Sequence, residues 1–88
     1  MEENIYLYCR VCGLKYDYPT WEDDGQSPTF FICDCCGVEF GYEDTLLPSI
    51  RRYRETWLEN GAKWRNQKLK PLDWNVEEQL KNVPPQFW

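Results

Sequence analysis

The rhythm of hydrophobic and polar positions changes about halfway along the chain. Ile5-Tyr6-Leu7-Tyr8 and Thr29-Phe30-Phe31-Ile32 are short runs of aromatic and branched residues, and Val38-Glu39-Phe40 alternates apolar and polar. Such runs read as strands. The first two lead into Cys-containing turns, and Val38-Glu39-Phe40 folds back on the second as a hairpin. Residues 19–28 hold two prolines, an Asp24-Gly25 step and several polar residues, a loop with turns. From Pro48 the period becomes helical. Ile50, Tyr53, Trp57 and Leu58 fall at i, i+3, i+7 and i+8 on one face, with Arg51, Arg52, Glu55 and Glu59 facing water. Pro48 suits the first turn and Asn60-Gly61 the stop. A second helix begins at Asn75, where Asn75-x-x-Glu78 reads as a capping box. Val76, Leu80 and Val83 supply its apolar stripe, and Pro84-Pro85 ends it.

The five cysteines carry the most specific signal. Cys9 and Cys12 form one Cys-x-x-Cys pair, and Cys33 and Cys36 form another after twenty intervening residues, each followed at once by glycine. This arrangement sits at the edge of the spacing expected for a four-cysteine zinc site. Two thiolates separated by two residues grip one edge of a tetrahedral ion, and the glycine lets the chain turn back through a positive φ. Two such knuckles face to face complete the tetrahedron and leave no open position, as in structural zinc sites. Disulfides suit an exported chain and leave a fifth cysteine over, and a redox pair needs a strand–helix context in place of the two glycines. Cys9, Cys12, Cys33 and Cys36 are thus the expected ligands of a structural Zn²⁺. Cys35 can replace Cys36 as a ligand only through a tighter bite, and otherwise packs beside the metal. The expected architecture is a small α+β domain: zinc-ribbon-like β-hairpins around the four-cysteine knuckle site, then one longer and one short C-terminal helix.

Composition narrows the function. With 88 residues the chain is one domain, and 15 aromatic side chains let so small a core bury appreciable area. There is no histidine, which excludes a Ser-His-Asp triad, a Cys-His pair and any His-ligated metal. No catalytic constellation remains, and the expectation is a non-enzyme. No apolar run is long enough to span a membrane, and the acidic start Met1-Glu2-Glu3 is unlike an export signal, so a cytoplasmic protein without membrane partners is expected. The net charge of −5 divides into −8 over residues 1–44, the expected acidic ribbon half, and +3 over residues 45–88, the helical half. An acidic half repels nucleic acid and attracts a basic protein surface. The loop residues Trp21, Glu22, Asp23 and Asp24, with Glu43 and Asp44 after the last strand, read as an aromatic anchor with a charged rim for a partner. The competing reading makes Trp21 a lid over the hairpins and leaves the acids solvated.

Several segments together resemble the small cysteine-rich CPCC-type proteins of bacteria. They are Cys9-Arg-Val-Cys12-Gly13-Leu14, Trp21-Glu-Asp-Asp-Gly25, Arg52-Tyr-Arg-Glu-Thr-Trp57 and the run from Ile32 to Asp44, with Trp64 and Glu77 to Asn82. The family's Cys-Pro-Cys-Cys core reads Cys33-Asp34-Cys35-Cys36 here, with Asp34 in place of proline. Members of that family often sit beside toxin genes. The resemblance therefore implies an immunity protein that binds and neutralises one cognate toxin domain. The alternative is a zinc-ribbon nucleic-acid-binding or regulatory protein working through Arg51, Arg52, Arg54, Lys63, Arg65, Lys68 and Lys70. The acidic first half makes nucleic acid the less favoured partner.

Overall fold

A computed structural model describes residues 5–21 and 27–88. It contains two α-helices, α1 (Leu47–Glu59) and α2 (Val76–Leu80), and three short 3₁₀ turns at Ile5–Leu7, Gln67–Leu69 and Pro85–Phe87. Among the described residues the only β pairing is two isolated antiparallel bridges, Tyr8 with Lys15 and Ile32 with Glu39. The expected strands shrink to these bridges, and no sheet forms among the described residues. The cause is local. Ile5–Leu7 winds into a 3₁₀ turn, and Phe30 has φ 63, a left-handed conformation that breaks an extended run. The backbone groups freed in this way pair between loops: the Thr20 N–H donates to the Tyr6 carbonyl (2.7 Å) and the Thr29 N–H to the Thr20 carbonyl (3.2 Å).

Both helices begin and end where their local chemistry dictates. Pro48 lies in the first turn of α1, and Gly61, at φ 95, turns the chain away beyond its end. In α2 the Asn75 side chain accepts a hydrogen bond from the Glu78 N–H at 3.1 Å, the expected cap. The buried face of α1 is Ile50, Arg54 and Trp57. Leu58, expected on that face, is exposed, and Arg54 takes the inner position between Ile50 and Trp57.

The core is built around sulfur and aromatic rings. Cys9, Val11, Cys12, Cys33, Cys35, Val38 and Phe40 are all inaccessible, and Trp21, Trp57 and Trp64 close over them. Trp74 meets Trp57 and Trp64 edge-to-face, with ring centroids 6.4 and 5.7 Å away. Trp64 and Trp74, from the segment between the two helices, therefore cover the core. Trp57 is 7% exposed and its indole N–H donates to the Lys63 carbonyl. Trp57→Ala should cost about 3 kcal/mol, the low end for a buried tryptophan because one ring edge reaches the surface. Urea unfolding at constant metal loading measures it, and a change below about 1 kcal/mol would remove Trp57 from the core. Among the described residues no helix is long and apolar enough to cross a membrane.

Candidate metal centre

The two cysteine knuckles are copies of one backbone motif, shifted by 24 residues. In the first, the Cys9 N–H donates to the Leu14 carbonyl (2.9 Å) and the Gly13 N–H to the Cys9 carbonyl (3.0 Å). In the second, Cys33 donates to Val38 (2.8 Å) and Gly37 to Cys33 (3.0 Å). Even the outer bonds correspond, Tyr16 to Leu7 (2.8 Å) and Phe40 to Phe31 (2.9 Å). Gly13 and Gly37 have φ of 83 and 84, the conformation each turn requires.

That symmetry brings Cys9, Cys12, Cys33 and Cys36 together, all buried, with their Sγ atoms within 4.8 Å of one another. A tetrahedral ion bonded to sulfur at about 2.3 Å sets its sulfurs about 3.8 Å apart. The Sγ of Cys9 lies 3.7 Å from that of Cys36, and the Sγ of Cys12 lies 3.7 Å from that of Cys33. The cluster fits such an ion. Its electrostatics call for one as well. Burial pushes the Cys9, Cys12 and Cys36 thiols up. Burial would raise Cys33 too, but hydrogen bonds from Cys12, Cys36, Cys9 and Tyr16 outweigh it and hold this thiol well below the usual range. Burial opposes ionisation of these thiols, and a divalent cation would supply the charge that lets all four ionise.

The fifth cysteine lies beside this set, close enough to act on the Cys12 thiol, without being one of the four. Cys35 is fully buried, and its Sγ accepts a hydrogen bond from Gln79 Nε2 at 3.3 Å. The same Gln79 nitrogen donates to the Cys12 carbonyl (3.2 Å), and its Oε1 accepts from the Trp74 indole (2.8 Å). One side chain of α2 therefore ties the first knuckle to the second. From α1, Arg54 Nε donates to the Val11 carbonyl (2.7 Å), and its Nη2 to the carbonyls of Arg10 (2.9 Å) and Phe87 (2.7 Å). Tyr53 Oη donates to the Cys36 carbonyl (3.2 Å), and the Asp34 N–H donates to Tyr16 Oη (3.1 Å). Burial and the neighbouring Cys36 push the Tyr53 phenol up to about 12, so it stays a proton donor at neutral pH. Arg54 was legible only as a base for nucleic acid, yet it lies in the apolar stripe of α1, four residues after Ile50 and three before Trp57. That position was the available signal. Three of its five N–H donors are committed to carbonyls and the side chain is 5% exposed, so Arg54 offers phosphate little.

The residues expected to meet a partner divide sharply. Trp21 is 6% exposed, and its indole donates to Oδ2 of the inaccessible Asp44 at 2.8 Å. Asp44 Oδ1 accepts from the Gly41 N–H (2.7 Å), and the Arg10 guanidinium stacks 4.0 Å from the Trp21 ring and 4.3 Å from Phe87. Burial raises the Asp44 pKa against these donors and Arg10. Trp21 and Asp44 are core residues that present almost no surface to a partner, and their mutual hydrogen bond satisfies the two polar groups inside. Trp21 thus takes the lid position. Glu43 is half-buried, with Oε1 accepting from the Glu39 N–H (3.4 Å). Glu22, Asp23 and Asp24 lie outside the described residues.

The two turn glycines are not equivalent. A Cβ on Gly13 would lie 2.3 Å from the Gln79 carbonyl oxygen in α2, whereas one on Gly37 would find its first neighbour, Tyr53 Oη, at 3.4 Å. Gly37→Ala should cost about 1–2 kcal/mol from the left-handed backbone alone. Gly13→Ala adds that clash and should cost about 2–4 kcal/mol. Urea midpoints of the metal-loaded proteins compare the two, and equal losses would detach α2 from the first knuckle.

Two Bacillus subtilis (strain 168) proteins are similar to the chain. The uncharacterized protein YozI is 34% identical over 84% of this chain and 69% of its own length. The uncharacterized protein YoaQ is 33% identical over 93% of this chain and 76% of its own length. No family model matches the chain. No solved structure matches it closely enough to count.

Proposed function

The chain belongs to the family that includes YozI and YoaQ, and we propose that it is a cytoplasmic binding module, stapled by structural Zn²⁺ in a zinc-ribbon-like pair of knuckles, that neutralises a cognate toxin domain as an immunity protein. The observation that carries the binding-module reading is the closure of the cysteine cluster. All four candidate ligands are buried, and four protein thiolates leave no position for substrate or an activated water. Such a centre holds two loops in register and catalyses nothing. Five cysteines without a disulfide among them suit a reducing compartment.

The immunity role is supported by the resemblance to CPCC-type proteins and by the −8 charge of residues 1–44, which steers a basic partner toward the protein. The test is co-expression with the polypeptide encoded beside this chain in its own genome. Rescue of growth together with a one-to-one complex is the expected result. A harmless neighbour, or one that the chain fails to bind, would contradict the immunity role and leave the metal centre standing.

A further inference from the structure

Beside the second knuckle, the outer side of α1 borders an open groove of about 550 Å³. Its helical wall runs from Ser49 to Asn60, about 16 Å at the α-helical rise. Arg52, Thr56 and Asn60 follow one another along that wall at four-residue steps, each about 6 Å. Alternate side chains of an extended peptide are separated by about 6.6 Å, so one face of such a chain keeps step with these three residues. Tyr42, 74% exposed, also lines the groove, with Tyr53 and Trp57.

The groove is cationic in an acidic protein. Neither the Arg52 nor the Lys63 side chain has an ion-pair partner among the described residues. The lining carries one carboxylate, Glu43, whose Oε1 accepts the Glu39 N–H, so its charged side chains leave a net +1. Lys63 also lines a second hollow of about 370 Å³, which brings in Gln67 and Lys70 and prolongs the path. Single-stranded nucleic acid would need exposed ring faces to stack on. Trp57 and Trp64 are only 7% and 5% exposed, which leaves Tyr42 as the one well-exposed ring on the lining, too few for successive bases to stack. A peptide needs only spaced hydrogen-bonding side chains and cations.

We infer that the α1 groove binds an extended peptide segment of about five residues bearing acidic side chains, held by Arg52 and Lys63 and aligned by Thr56 and Asn60. This site uses cations of the second half and does not rest on the immunity reading. The experiment titrates the metal-loaded protein by calorimetry with a capped hexapeptide alternating glutamate and leucine, with its lysine-for-glutamate counterpart, and with hexathymidylate. The glutamate peptide should bind at least about tenfold more tightly than the other two, and Arg52→Ala with Lys63→Ala should weaken it by about tenfold or more. Lys68→Ala, an exposed charge off both linings, should leave binding unchanged. Unchanged metal stoichiometry shows that each variant is folded. Absent binding of the glutamate peptide, equal binding of the lysine peptide, tighter binding of hexathymidylate, or indifference to the double variant would each overturn the inference.

Discussion

Cys12→Ser should release the metal and unfold the part of the chain that the two knuckles hold together, while Cys35→Ser leaves both metal and fold in place. The two thiols are equally buried, so burial alone predicts no difference between them. Their geometry does. Cys12 Sγ belongs to the cluster of four and lies 3.7 Å from Cys33 Sγ, whereas Cys35 is absent from that cluster and bonds to Gln79 Nε2. A structural four-thiolate site contributes an apparent free energy of about 10–16 kcal/mol in small peptides, and loss of one ligand forfeits most of it. That exceeds what a domain of this size holds in reserve, about 5 kcal/mol. Losing the Cys35 sulfur costs about 1 kcal/mol, the worth of one weak hydrogen bond and its packing. Metal content and far-ultraviolet circular dichroism of the two variants decide the matter. Equal losses would mean that Cys35, and not Cys36, completes the site.

Arg54→Ala is the second large effect, about 4–6 kcal/mol with the metal bound. One guanidinium satisfies the carbonyls of Arg10, Val11 and Phe87, two of them inside the first knuckle, and the side chain is 5% exposed. Removing it leaves buried acceptors without donors at about 1–3 kcal/mol each and vacates the stacking position 4.7 Å from the Trp88 ring. Burial is the main influence on Arg54 and lowers its pKa, with the nearby Cys9 opposing. The positive charge thus sits next to the thiolates that need compensation. Arg54→Lys should recover less than half of the loss, because a single ammonium cannot reach three carbonyls in the guanidinium plane. Chemical denaturation of metal-saturated protein tests both variants. Full recovery by lysine would show that charge, and not the fork of donors, is what the knuckle requires.

The sequence exposed some parts of this molecule and concealed others for physical reasons. Twin Cys-x-x-Cys-Gly segments specify the cluster of four cysteines, the turns and the positive φ at Gly13 and Gly37 within a few residues, and these were legible as such. So were the cap at Asn75 and the stop at Gly61, which depend on neighbouring backbone alone. The expected strands were not realised, because propensity in Thr29–Ile32 competes with the turn forced by Phe30 at φ 63, a tertiary outcome no pattern announces. Trp21 beside carboxylates looked like a surface anchor because its distant partners, Arg10 and Asp44, come together only in the fold. Arg54 and Gln79 were missed for a similar reason. Each serves carbonyls or sulfur more than 30 residues away, and polar side chains in a helix ordinarily point to water.

The most direct test of the four-thiolate centre is metal analysis combined with X-ray absorption on protein purified from cells supplied with both zinc and iron. One zinc per chain, surrounded by four sulfurs at about 2.3 Å and no lighter ligand, is the predicted result. A nitrogen or oxygen among the ligands, or a folded chain carrying no metal, would contradict it.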